Sequence, residues 1–236
     1  LEMVMSIEKL KARLELEMDS LQQSENLFKV LEEGFADKRL YGIFLTETFN
    51  YTFHNSRNQA MVAARRDTMN INYMKYCLKH AGEEAGHEMM AFHDLKNLGF
   101  EAKVEDLPKP LKTTQALIAY LYYVAEYGNP VARLGYSFWA ERSYEYIQPI
   151  LKLLSEGLDV GKKSMTFFNE HSEIDVQHAI DVENAISKYA KTEQDWKDIE
   201  DCMVNSLLLT TRMMDEVLDE FVKVKEDKDS RYKFLS

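Results

Sequence analysis

H171-S-E-I-D175-V-Q-H178 sets three residues able to bind a metal at positions i, i+4 and i+7. At about 3.6 residues per turn, these offsets confine His171, Asp175 and His178 to a sector of roughly 60° on one helix face, where all three can reach one point. A second stretch, H80-A-G-E-E84-A-G-H87, repeats the spacing with a glutamate in the middle, and the two windows hold four of the six histidines in the chain. Both stretches therefore predict helices with polar faces turned inward.

Working outward from them, hydrophobic periodicity and capping residues predict helices throughout. Residues 6–33 place Ile7, Leu10, Leu14, Met18 and Leu21 at helical spacing, as an amphipathic helix or a broken pair ending before Gly34. A second helix is expected over about 36–66, with Glu47 and His54 seven apart on one face. A third opens in D67-T-M-N-I-N and runs to about Leu98, where Gly99 stops it; it carries His80, Glu84 and His87. Gly82 and Gly86 bracket Glu84 inside it, and a helical glycine costs about 1 kcal/mol against alanine, so close approach of another helix or a local bend is expected there. E101-A-K-V-E-D-L-P-K-P-L-K-T is the clearest loop. Thr113 or Thr114 is expected to cap the helix that ends at Gly128. Pro130 precedes a helix V131-A-R-L-G-Y-S-F-W-A-E-R-S-Y-E-Y, which Pro149 should bend or end. Gly161 precedes the helix of the opening motif, and T192-E-Q-D195 resembles a capping box at the start of a long last helix to about Lys225.

The whole chain agrees with an all-α protein. It has 236 residues, 45% hydrophobic and 29% charged, with only four prolines and nine glycines. No Ser/Gly/Pro-rich linker divides it, so a single domain over 1–236 is expected. A net charge of −11 argues against general affinity for nucleic acid or anionic lipid. Cys77 and Cys202 are too few for a disulfide framework or a thiolate zinc site, which suits a reducing, cytoplasmic setting. The longest apolar run, A116-L-I-A-Y-L-Y-Y-V-A125, falls short of the roughly 20 residues a membrane span needs.

In chain order the candidate ligands are Glu47, E84-x-x-H87, Glu141 and D175-x-x-H178, each on a different expected helix. Carboxylate-bridged dinuclear sites in helical bundles draw on this supply, with single carboxylates from two helices and a carboxylate-x-x-His pair from each of two others. Imidazole and carboxylate without thiolate suit iron or manganese and disfavour structural zinc. A helical Glu or His is more often hydrogen-bonded structure, and His54, His93 and Glu88 are read that way. His80 shares the face of Glu84 and stands between ligand, supporting donor and core. Cys77 is read as a small buried apolar residue, and Tyr136, Phe138 and Trp139 as core.

Taken together, E83-E-A-G-H87-E, H93-D-L-K-N-L-G-F, the proline-containing loop, L134-G-Y-S-F-W-A-E141 and H171-x-x-x-D175-x-x-H178 resemble the iron-containing redox enzymes of the haem-oxygenase-like superfamily, over roughly residues 40–190. The resemblance implies a haem-oxygenase-like bundle of about seven helices without haem. The implied metal ligands are Glu84, His87, Glu141, His171, Asp175 and His178, with Glu47 an additional carboxylate used by some members. It also implies two Fe ions per chain, Mn being the other candidate, and dioxygen-dependent oxidation of a small amine, amino acid or fatty acid. A homodimer is an allowed assembly. The alternatives within the superfamily are a TenA or thiaminase-like protein and a PqqC-like one, metal-free and acting in cofactor metabolism or as a binding module. A thiaminase-like reading needs a cysteine nucleophile near Glu141, and neither cysteine is near it in sequence. A ferritin-like four-helix bundle is the alternative architecture, which His171 disfavours through the resemblance.

Overall fold

The computed structural model describes residues 6–24, 26, 29–30, 37–226 and 228–235; for 24, 150, 162 and 170–175 it covers the backbone. Among the described residues there is no strand. The helices are α1 (Ile7–Ser24), α2 (Lys38–Thr52), α3 (Asn55–Ala64), α4 (Ile71–Glu84), α5 (Glu88–Asn97), α6 (Lys112–Tyr127), α7 (Leu134–Arg142), α8 (Tyr144–Leu158), α9 (Thr166–Tyr189) and α10 (Glu193–Lys225). No described helix is long and apolar enough to cross a membrane. The α1 positions singled out by periodicity, Leu10, Leu14, Met18 and Leu21, are buried in the common core. The expected end of that first helix before Gly34 lies outside the described residues.

Three expected helices are each divided, which raises the helix count above seven. The stretch 36–66 breaks at Phe53–His54 into α2 and α3. The break turns His54 away from the face of Glu47, and its Nδ1 lies 3.0 Å from the Tyr122 hydroxyl. The stretch 67–98 is cut after Glu84: Gly86 takes φ 98°, a left-handed conformation that glycine adopts without a Cβ clash, and His87 opens α5. The glycine compensation is thus a bend. The stretch from Val131 starts as a helix only at Leu134 and is interrupted at Ser143 rather than at Pro149. That interruption leaves Pro149 near the start of α8, where its missing N–H deprives only the Glu145 carbonyl of a partner.

The long α10 packs on α7, α6 and α2, while α9 lies across α7 and α5. Its Thr192–Asp195 capping box forms as the sequence suggests. Contact between α7 and α10 is close at Gly135, where a Cβ would stand 2.0 Å from the Ile199 carbonyl oxygen. Two other helix starts are satisfied from far along the chain instead of locally. At α6 the Glu216 carboxylate of α10 accepts from Thr113 N (2.9 Å) and Thr113 Oγ1 (2.6 Å), replacing the expected Thr113 or Thr114 cap. At α9 the buried Asp94 of α5 accepts from Thr166 N (2.8 Å), Thr166 Oγ1 (2.6 Å) and Phe167 N (2.9 Å). A carboxylate there satisfies free N–H groups and opposes the positive end of the helix dipole. Asp94 thereby holds in place the helix that carries His178.

Candidate metal centre

Four side chains converge where α4, α7 and α9 meet. His80 and Glu84 come from the last turns of α4, Glu141 from the end of α7 and His178 from the middle of α9. One ligand atom from each lies within 4.8 Å of those of the other three. His178 Nδ1 stands 3.4 Å from Glu84 Oε1 and 3.6 Å from Glu141 Oε2, and His80 Nε2 lies 3.4 Å from Glu141 Oε1. His87 sits beside the group, its Nδ1 3.4 Å from Glu84 Oε2 across the Gly86 turn. The helix that would have aligned Glu84 with His87 is absent, yet the tight turn keeps the two in contact. The side chains of His171 and Asp175 lie outside the described residues; their backbone belongs to α9, about two turns and one turn before His178, respectively.

Burial and charge work against each other here. Burial pushes the Glu84 carboxyl up, but hydrogen bonds from His178 and His87 and the nearby His80 and His87 charges outweigh it and hold the group well below the usual carboxylate range. Glu141 is held down in the same way by His178 and His80 against burial and the charge of Glu84. Hydrogen bonds to Glu141 and Glu84 push the His178 imidazole up to about 10. Glu84 also raises His87. Without a metal, His178 therefore carries a proton between two carboxylates.

Glu47 is elsewhere. Its carboxylate is fully buried and accepts from Leu111 N (2.9 Å), Thr114 Oγ1 (2.5 Å), Tyr232 Oη (2.7 Å) and Asn50 Nδ2 (3.2 Å). It does not join the His80, Glu84, Glu141 and His178 group, and its lone pairs are already engaged. Glu88 accepts from Gly86 N and stabilises the turn. Cys77 is fully buried among Tyr73 and Gln59, with its thiol pushed up by burial. Cys202 departs from expectation: although distant in sequence, it lies against the Tyr136 backbone on the helix of Glu141. Burial raises its thiol to about 12, which removes the thiolate a nucleophile needs.

A cavity of about 120 Å³ opens beside the four-residue group and has His80, Glu84 and Glu141 in its wall. Phe44, Phe167, Phe168, Leu207 and Met213 supply much of the rest. Tyr136 and Trp139 also line it, contrary to their reading as core alone, while Phe138 is core. Trp139 is fixed by its indole N–H donating to Ser206 Oγ at 2.8 Å. Two residues that sequence reasoning passed over matter here. Asp94 left no local signal, since its partner Thr166 is 72 residues away. Arg133 did leave one: a charged residue within V131-A-R-L-G-Y-S-F-W, where burial was otherwise expected.

Residues 43–209 match the sequence profile of a family described as iron-containing redox enzyme. The chain belongs to that family. Among solved structures it is similar to a domain of unknown function with a haem oxygenase-like fold from Shewanella denitrificans, with 40% identity, TM-score 0.92, and 96% of this chain and 98% of that chain covered. A TenA homologue from Pseudomonas syringae pv. tomato (10% identity, TM-score 0.72, 90% and 92% covered) and one from P. horikoshii (15%, 0.67, 91% and 98%) share the fold. No curated protein matches the sequence. This member of the iron-containing redox enzyme family thus has the haem-oxygenase-like architecture, and not a ferritin-like four-helix one.

Proposed function

We propose that the protein is a non-haem iron oxidase or oxygenase that binds two iron ions per chain and uses dioxygen to oxidise a small amine, amino acid or fatty acid. The observation that carries this reading is the convergence of His80, Glu84, Glu141 and His178 on one point inside a member of an iron-containing redox family. The donor set fits the metal. His80 Nε2 and His178 Nδ1 face carboxylate oxygens at 3.4 to 3.6 Å, and imidazole with carboxylate is iron chemistry. Glu84, His87, Glu141 and His178 would hold the ions together with His171 and Asp175, and His80 is a further donor. Iron ions held by these residues would, in the reduced state, supply the electrons that dioxygen needs to become an oxidant.

The chain's own residues do the rest. Glu84 and Glu141, held ionised by their imidazole neighbours, offer anionic oxygens to a cation, and His178 must release its proton before it can ligate. Phe167, Phe168, Trp139 and Leu207 give the cavity an apolar wall on which an aliphatic substrate can rest. Asp94 and the Gly86 turn orient α9 and His87.

Anaerobic Fe(II) loading followed by metal counting tests the proposal. About two ions per chain are expected, as in carboxylate-bridged bundle sites. His171→Ala and Glu84→Ala should abolish uptake, whereas His54→Ala should not. Uptake below one ion per chain, or equal loss in the His54→Ala control, contradicts it. Oxygen consumption by the loaded protein across amine, amino-acid and fatty-acid panels then selects the substrate. A second reading, a metal-free binding protein of this fold, draws on the ion pairs that satisfy His178 without a metal. It requires Asp175→Asn and His178→Gln to retain ligand binding and no oxygen to be consumed.

A further inference from the structure

Arg133 is 2% exposed and forms no ion pair with any described residue. Its guanidinium meets neutral groups: Nε donates to Asn58 Oδ1 at 2.5 Å, Nη1 to Ser137 Oγ at 2.7 Å and Nη2 to the Asn55 carbonyl at 3.3 Å. The Tyr136 ring lies 5.1 Å from its central carbon. A guanidinium is a cation, so among the described residues a positive charge is buried with neutral partners only. The neighbouring Arg142 shows the usual arrangement, paired with Glu145 and Glu183. Three of the five N–H donors of Arg133 are used by these partners, which leaves two for another acceptor.

Arg133 lines the same cavity as His80, Glu84 and Glu141. So do Thr52 and Asn55, whose Oγ1 and Oδ1 atoms are buried without a hydrogen-bond partner. The cavity thus has an acidic, imidazole-bearing part and a cationic part with idle polar atoms, within mostly apolar walls. At about 120 Å³ it equals the liquid volume of roughly four waters, enough for a short aliphatic chain.

We propose that Arg133 binds the carboxylate of a short-chain carboxylic acid, seating its apolar chain in the cavity beside the His80, Glu84 and Glu141 cluster. A planar fork with two free N–H groups matches a carboxylate, and Thr52 Oγ1 can donate a further hydrogen bond. The anchor favours the amino-acid and fatty-acid classes over simple amines. That the bound acid is a substrate rests on the oxidase reading, while the binding itself does not.

The test is calorimetric titration of the full chain, chelator-treated and iron-loaded, with acetate, butyrate, hexanoate and octanoate, against hexanamide and hexylamine. In chelator-treated protein at least one of these acids should bind, with hexanoate at least about 10-fold tighter than hexanamide, as expected for hydrogen bonds from a charged group. Arg133→Lys, checked for folding by its thermal melt, should weaken acid binding about 10-fold with iron content unchanged, because the fork geometry is lost. Should that variant not fold, the acid-against-amide comparison on the unaltered protein decides alone. Equal affinity for acid and amide, preference for hexylamine, absence of acid binding, or a folded Arg133→Lys that binds acids as before overturns the proposal. Acid binding without iron uptake defeats the oxidase reading and leaves the anchor standing; iron uptake without acid binding does the reverse.

Discussion

Glu47 and Glu84 are both buried carboxylates in the same helical core, and their surroundings are opposite in kind. Around Glu47 stand a backbone N–H, two hydroxyls and an amide, all hydrogen-bond donors with no capacity to ligate a cation ahead of it. Burial raises its pKa and those donors partly offset the rise. Around Glu84 stand three imidazoles and a second carboxylate, groups that can exchange a proton for a metal. One cluster is closed by its own hydrogen bonds. The other is complete only with something positive inside it, whether protons or a cation. Residue type does not distinguish the two; the partners do.

Removing each acid separates them most sharply. Glu47→Ala strands the Thr114 and Tyr232 hydroxyls and the Leu111 N–H, and should cost about 3 kcal/mol of stability in a denaturant titration while iron uptake per folded chain is kept. Glu84→Ala should abolish iron uptake, whatever its cost in metal-free stability, because an anionic ligand is lost. If both variants lose iron equally, the distinction fails.

Proton release is the next largest effect. The His178 pKa is raised from 6.5 to about 10, so its contribution to metal-free stability is full below about pH 6.5 and lost as pH rises through about 10. Glu84 is depressed below 4.5, so its contribution is present above about pH 4.5 and lost on acidification. Iron must displace the His178 proton, and apparent affinity should rise up to tenfold per pH unit between about pH 6 and 8. At least about one proton should be released per chain on loading, measured by calorimetry in buffers of different ionisation enthalpy. Zero release would mean that His178 is no ligand.

Smaller substitutions refine the contrast. Tyr232→Phe removes one donor from Glu47 and should cost about 1 kcal/mol without changing iron content. The two glycines flanking Glu84 should act in opposite directions. Gly86→Ala forces a Cβ into a left-handed conformation and should destabilise by about 1 kcal/mol, loosening His87. Gly82→Ala, in open helical surroundings with nothing within 4 Å of the added carbon, should stabilise by about 0.5 kcal/mol in thermal melts.

Much of this arrangement was legible in the chain. The E-x-x-H and H-x-x-x-D-x-x-H spacings located α4 and α9, the capping residues located the start of α10, and the resemblance supplied the fold. What escaped were events that depend on distant partners. Glu47 has the same local look as a ligand, and only the packing of Leu111, Thr114 and Tyr232 around it reveals a closed cluster. The glycines around Glu84 did announce a bend or a close approach, and the structure decides for a bend at Gly86. Cys202 meets the Tyr136 backbone because α10 packs closely on α7 at Gly135, a contact between segments far apart in the chain.

The hydrogen bond from Tyr232 to Glu47 joins residues 185 apart. During synthesis, α2 and its acidic side chain emerge long before residue 232 is translated, so for most of that time Glu47 lacks one of its donors. The closed carboxylate cluster is therefore one of the last parts of the bundle that can be finished. The His80, Glu84, Glu141 and His178 group draws on residues only as far as α9, so all its side chains are synthesised before Tyr232.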